Sequence, residues 1–170
     1  MKKLLKVVLV AGCMLLVGGF AKAQTKIGYI NFNQLIDQMP QMKTVQTSAQ
    51  AYQKQFVDVL QGMQTELTTK GQAYDAARAT MTDAIRAQKE TELQDLNKRM
   101  QDYNTTAQQK VQEKYNELAK PVVDQAKAAI TAVAKEKGYT YVLDTTQGEP
   151  IVAPPTDDLM AAVKLKLGLK

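Results

Sequence analysis

The chain contains few residues of the types that perform covalent or metal chemistry. It has no His, a single Cys, no Gly-rich phosphate loop and no G-x-S-x-G nucleophile motif. Its 17 Asp and Glu residues are scattered among polar residues at helical spacing, which is typical of solvated helix surfaces and not of a paired acid and base. We therefore predict that the chain is not an enzyme, and we assign no catalytic, cofactor-binding or metal-binding residue.

The first 23 residues have the pattern of a secretory signal peptide. Three lysines precede an apolar run at residues 7–20, and Ala-Lys-Ala at residues 21–23 resembles a cleavage site. The apolar run is too short to cross a membrane as a helix. We predict cleavage after Ala23 and export to the periplasm. Cys13 leaves lipoprotein processing open as an alternative, in which a lipidated Cys13 would begin the mature chain.

Removal of this segment changes the charge balance. It takes away four of the 22 Lys and Arg residues and the only Cys, so that 18 basic residues face 17 acidic ones and the net charge is +1. A nearly neutral chain predicts no nucleic-acid partner. Without cysteines there is no disulfide framework, so stability must come from packing or from association.

Most of the mature chain predicts two long amphipathic helices. Between Pro40 and Pro121, apolar residues recur at steps of three and four. The polar residues 80–83 lie midway, and Thr82 or Asp83 can cap a new helix. We predict an antiparallel hairpin arm at residues 41–120 with its tip near 80–83, although one continuous rod would satisfy the same pattern. Pro121 is predicted to end the second helix, and a separate helix is predicted over residues 122–137.

The two ends of the mature chain predict a small β-containing body, formed by residues 24–40 and 121–170. Strands are predicted near residues 26–32, 139–144 and 151–153, with short helices over 33–39 and 156–167. Gly138 is predicted to stop the preceding helix. The fold class is therefore mainly α with a small β body. Because so small a body leaves strand edges open, we expect association with further chains.

Three segments of this body carry a family resemblance. They are the opening strand at residues 26–30, the run Lys-Gly-Tyr-Thr-Tyr-Val-Leu-Asp at residues 137–144, and the closing helix from Asp158 to Leu167. Together they resemble the Skp (OmpH-like) family of periplasmic chaperones over essentially the whole mature chain. Met160 departs from the family pattern, in which Thr is usual at that position.

The resemblance implies a homotrimer in which the strands form a central β association body and three hairpin arms project from it. It also implies an ATP-independent holdase, a chaperone that keeps unfolded client proteins soluble without hydrolysing nucleotide. The implied clients are outer-membrane β-barrel proteins before their insertion into the membrane. The nearly neutral charge leaves contact with membrane lipid or lipopolysaccharide open.

Five residues of the arm are candidates for client contact: Met63, Tyr74, Met81, Met100 and Tyr103. Flexible thioethers and amphipathic rings suit a surface that accepts many apolar partners. The same residue types also pack between paired helices, so this alternative stays open. A competing hypothesis for the whole protein is a structural or adaptor coiled coil of the cell envelope that binds one folded partner.

Overall fold

The chain folds into a long helical hairpin joined to a small body. The structure, a computed structural model, describes residues 25–148 and 150–169. The predicted signal peptide, its cleavage after Ala23 and the lipidation of Cys13 lie outside the described residues. The elements in chain order are β1 (Ile27–Ile30), α1 (Phe32–Asp37), α2 (Pro40–Ala77), α3 (Asp83–Glu136), β2 (Tyr141–Asp144) and α4 (Met160–Lys166), with 3₁₀ turns at Arg78–Thr80 and Pro155–Asp157.

The helices α2 and α3 pack against each other as the predicted antiparallel hairpin. With 38 residues, α2 is about 57 Å long. At mid-length the ring of Phe56 lies 5.1 Å from that of Tyr52 and 6.0 Å from that of Tyr103 on α3. Buried apolar residues are sparse along the part of this seam that lies farther from the body than Ala49. Among the described residues there, Leu96 and Ala107 of α3 are buried. The arm is therefore thinly packed.

The chain reverses between Ala77 and Asp83, which overlaps the predicted tip and excludes a continuous rod. Thr82 caps α3 as predicted, since its hydroxyl oxygen accepts a hydrogen bond from the Ile85 amide at 3.4 Å. The short turn brings the two helices side by side within five residues.

The predicted helix break at Pro121 is wrong, because α3 runs through Pro121 as one helix of 54 residues. A proline removes the hydrogen bond to the carbonyl four residues earlier, here that of Glu117. Glu117 is an exposed residue, so this carbonyl belongs to a turn at the surface of the helix. Val122 and Ala126 are buried in the body core directly after the proline. Burial of this apolar face favours a continuous helix over a break.

The body contains a parallel two-stranded sheet in which Ile27 of β1 faces Tyr141 of β2. On its other side, β1 is covered by the segment before α4: the Leu159 amide donates to the Tyr29 carbonyl at 2.9 Å. The strand predicted at residues 151–153 is wrong, since these residues form a bend. A strand needs a partner, and both edges of β1 are already occupied within the chain.

The core of the body lies where β1, α1 and α4 meet the two ends of the hairpin. Its fully buried side chains include Leu35, Leu159 and Val163. Gly28 allows a close approach, because a Cβ atom there would lie 3.1 Å from the Tyr139 ring. Gly138 has a φ of +72° and follows α3, as predicted for a helix stop.

The side chain of Asp144 ties the end of β2 to the start of α1. One carboxylate oxygen accepts hydrogen bonds from the Phe32 amide at 3.2 Å and from the Thr146 hydroxyl and amide at 2.6 and 2.9 Å. The hydrogen bond from the Thr146 hydroxyl is the main cause that lowers the pKa of Asp144. The ionised carboxylate is therefore the form that the fold prefers.

We expect Asp144→Ala to lower the free energy of unfolding by about 1 kcal/mol at pH 7, because three donors lose their acceptor at an exposed site. Since the folded pKa lies below the unfolded value near 4, the wild-type advantage is complete above pH 4 and is lost as the pH falls through the folded pKa. Urea unfolding at pH 7 and pH 3 measures both effects. The control Asp58→Ala, at an exposed ion pair with Lys54, should change stability by less than about 0.5 kcal/mol.

Candidate functional site

The five candidate contact residues all lie on the arm or at its tip, and all are half-buried. The structure places them in two groups. Met63, Met100 and Tyr103 lie at mid-arm, whereas Tyr74 and Met81 lie together near the tip. They do not form one continuous site.

At mid-arm, the candidates differ in how accessible their side chains are to another chain. Tyr103 packs against Phe56 across the seam, which accounts for its half-burial. Met100 instead lines an open groove of about 380 Å³ together with Leu60 and Val57, which is 40% exposed. Met63 is half-buried on the seam side of α2. Met100 is therefore the mid-arm candidate that an incoming chain could reach.

Near the tip, Tyr74 and Met81 line a small cavity of about 140 Å³ between the helices. The Tyr74 hydroxyl donates a hydrogen bond to Glu90 on α3, and this bond is the main cause that raises the pKa of Tyr74. Tyr74 is thus engaged within the hairpin. Met81 lies in the turn that joins the two helices.

An ion pair joins the two helices next to this cavity and belongs to a small charged cluster. Lys70 on α2 pairs with Glu92 on α3 and, at 3.4 Å, with Glu66; Lys89 pairs with Glu92 at 3.0 Å. Hydrogen bonding to Glu92 raises the pKa of Lys70, and hydrogen bonding to Lys70 lowers the pKa of Glu92. These groups are partly exposed, so added salt screens them. The distal arm is therefore held by polar contacts in addition to its sparse apolar seam.

The body exposes apolar side chains that lie outside the five candidates. Tyr141 and Leu143 on β2 are 61% and 50% exposed, and no described residue pairs with the outer edge of this strand. Ile151 and Val152, in the bend after β2, are 103% and 87% exposed. A groove of about 800 Å³ next to β2 is lined by residues that include Phe32, Ile130, Ala134 and Val142. Large apolar side chains are therefore exposed at several places on this small body, on β2 and in the bend after it.

The sequence contained a signal for the exposed bend at residues 151–152, but this run was interpreted as a third strand of the same chain. An Ile-Val-Ala run between prolines is typical of a short strand. Within one chain, this run pairs with no strand, and Ile151 and Val152 are exposed. An apolar strand-like segment without a partner is the sequence pattern of an interface.

The described residues form neither a metal site nor a membrane-spanning helix. Among residues 25–148 and 150–169, no group of three or more Cys, Asp or Glu residues is arranged to hold a metal ion. Within the same residues no helix is both long and apolar enough to cross a membrane.

Comparisons with known proteins agree with this architecture. A family model described as "Outer membrane protein (OmpH-like)" matches residues 26–167. The chain is 28% identical over 141 residues to the chaperone protein Skp of Yersinia enterocolitica, a match that covers 81% of this chain and 83% of that protein.

A solved structure from Caulobacter crescentus CB15, described as a candidate outer membrane chaperone (OmpH-like), has the same fold. It superposes with a TM-score of 0.68 at 20% identity and covers 88% of each chain. The family model spans nearly all of the described residues, including both ends of the body and the whole arm. The chain therefore belongs to the OmpH-like family.

Proposed function

We propose that this chain is an ATP-independent periplasmic holdase that binds unfolded outer-membrane β-barrel proteins and prevents their aggregation before membrane insertion. The observation that carries the proposal is the arm: a hairpin about 57 Å long that projects from the body and has a thin, partly open apolar seam. A helical arm with so little interior of its own has side chains available to another chain. The similarity to a protein named as a chaperone supports this assignment.

In this proposal the body assembles three chains, and the arms contact the client. Residues 24–40 and 121–170 form the association body, and residues 41–120 form the arm. The open edge of β2 and the exposed Ile151 and Val152 support association, because pairing with other chains would cover both. Three arms would then surround one client, so that many weak contacts add up.

The proposal places the mature protein in the periplasm after removal of residues 1–23. The mass of the mature N-terminus tests this directly. A chain that begins with Gln24 supports signal cleavage without lipid, whereas a lipidated Cys13 supports anchoring to a membrane.

The function is tested by diluting a denatured outer-membrane β-barrel protein into buffer without nucleotide, with and without the mature chain. Light scattering follows aggregation, and the mass of the soluble complex gives its composition. We expect suppression of aggregation and three chaperone chains in each complex. Aggregation that continues unchanged at excess chaperone would contradict the proposal.

The alternative is an adaptor coiled coil that binds one folded envelope protein. The continuous hairpin is compatible with it, because paired helices are common docking elements. A saturable complex with a native protein, together with unchanged client aggregation, would favour the adaptor over the holdase.

A further inference from the structure

One side of the arm carries two rows of exposed side-chain amides. On α3, six positions spaced three or four residues apart form one row, and each of them is a carboxamide: Gln94, Asn97, Gln101, Asn104, Gln108 and Gln112. On α2 the corresponding row contains six glutamines: Gln46, Gln50, Gln53, Gln61, Gln64 and Gln72. Val57 and Thr68 occupy the remaining positions of the α2 row, so neither row contains a charged residue. We call these twelve amides the carboxamide rows.

The carboxamide rows border two grooves whose floors are apolar. The first groove, of about 260 Å³, lies closer to the body and is lined by Gln46, Ala49, Gln50, Gln53, Val111, Gln112 and Tyr115. The second is the groove of about 380 Å³ that contains Met100 and Leu60, with Gln61, Gln64, Gln101 and Asn104 at its rim. No charged side chain lines either groove.

The two grooves repeat along the arm with a period of 11 residues. Every lining residue of the first groove has a counterpart in the second, 11 positions later on α2 and 11 positions earlier on α3. Eleven residues complete about three helical turns, so both grooves open on the same side of the arm, about 16 Å apart. A third step toward the tip would place Asp75, Lys89 and Glu90 in the lining, so the uncharged surface ends there.

The opposite side of α3 is different, because a groove there is lined by Glu92, Asp95, Lys98, Arg99 and Asp102. Along α3 the hairpin thus has one charged side and one uncharged side that is rich in hydrogen-bonding groups. Such a separation is not required to keep an arm soluble, since charged residues would serve equally well on both sides.

A carboxamide carries the same donor and acceptor groups as a peptide bond. Amides of the α3 row bond to other amides of the same helix: Gln101 donates to Asn97 at 3.2 Å, and Gln112 donates at 2.9 Å to Asn116, which follows the row. Because both groups are exposed, such bonds can be exchanged for bonds to another chain at little cost. The apolar floors of the grooves can meanwhile accept side chains of that chain.

We propose that the carboxamide rows and the two grooves bind the backbone of an extended, uncharged segment of an unfolded polypeptide. Main-chain N–H and C=O groups pair with the rims, and apolar side chains enter the floors. An extended chain covers the distance between the grooves in about five residues. The inference rests on the proposed holdase function and adds to it a recognition chemistry that depends on the peptide backbone and not on charge.

The test uses the mature chain and a capped, fluorescent peptide of about twelve Gly, Ser, Thr, Val and Leu residues, long enough to reach both grooves. A second peptide has the same sequence with alternate backbone nitrogens methylated, which removes their donors. Fluorescence anisotropy measures both affinities at low and high salt. We expect the methylated peptide to bind about tenfold more weakly, and the affinity of the parent peptide to be nearly independent of salt.

A variant with Gln61→Glu, Gln64→Glu and Gln101→Glu keeps side-chain size and helix propensity but places charges on the rim. We expect it to bind the peptide at least about tenfold more weakly, because the charged rim loses donors and repels backbone carbonyls. The matched control Gln55→Glu, Gln88→Glu and Gln109→Glu adds the same charge outside the carboxamide rows and should bind normally. Circular dichroism checks that both variants remain helical.

Equal affinities for the two peptides, or equal losses in the two variants, would overturn the inference. A rim variant that changes the mass of the assembly but not peptide binding would also overturn it, and would show that the rows contact another copy of the chain. These results are separate from failure of the proposed function. If the wild-type chain suppresses aggregation and the rim variant does so equally well, the holdase stands and the carboxamide inference falls.

Discussion

Replacing Leu35 with alanine is expected to lower the free energy of unfolding by about 2–5 kcal/mol, a large part of the stability of a small body. Leu35 is 0% exposed and lies in the core with Ile30, Met39 and Val163. Truncation leaves a cavity where α1 joins the two ends of the hairpin. Because the core has few large side chains, its neighbours cannot fill this cavity by moving into it. Urea unfolding followed by circular dichroism measures the change at a fixed protein concentration.

Leu165 provides a matched control, because it lies on the short helix α4 and is 79% exposed. We expect Leu165→Ala to change the free energy of unfolding by less than about 0.5 kcal/mol. Equal losses in the two variants would contradict the view that the buried face of α1 anchors the arm to the body.

The parts of the fold that depend on local sequence could be predicted. The three-and-four spacing of apolar residues predicts both arm helices, and Thr82 or Asp83 predicts the start of the second. Gly138 predicts the helix stop near residue 137, although that helix was expected to be separate from the arm. Each of these features depends on a backbone group a few residues away or on one face of a single helix, so no knowledge of distant residues is needed. The structure confirms all of them.

The two errors in the fold share a cause, because each position is decided by distant residues. At Pro121 the local preference for a break is outweighed by the burial of Val122 and Ala126 against the body. At Ile151 and Val152 the local preference for a strand is unmet within the chain. Both edges of β1 are occupied, and the outer edge of β2 stays open without pairing to this segment.

The candidate site was predicted only in part, since periodicity shows which residues face the seam but not how far the seam is open. Tyr74 and Tyr103 have contacts within the hairpin, while Met100 borders an open groove. The apolar periodicity that predicts the helices assigns no role to the amides of the carboxamide rows. Their six-position run on α3 is visible in the sequence, but its pairing with a row on α2 requires the register of the two helices.

Introducing two carboxylates with Ile151→Asp and Val152→Asp is expected to convert the proposed trimer into single chains. In one chain these side chains are 103% and 87% exposed, so the substitution removes no internal contact. In an assembly that covers them, each carboxylate would lose its water without gaining a partner, at a cost of several kcal/mol. Light scattering after gel filtration gives the mass directly.

The matched control places one carboxylate at mid-arm with Val59→Asp, a position that is 43% exposed and remote from the body in sequence and along α2. It should keep the wild-type mass. A double variant that still elutes with three chains would show that the apolar bend after β2 is not part of the interface. If the double variant becomes a folded single chain and loses suppression of aggregation, then holding a client requires several arms around it, because one arm offers too few weak contacts.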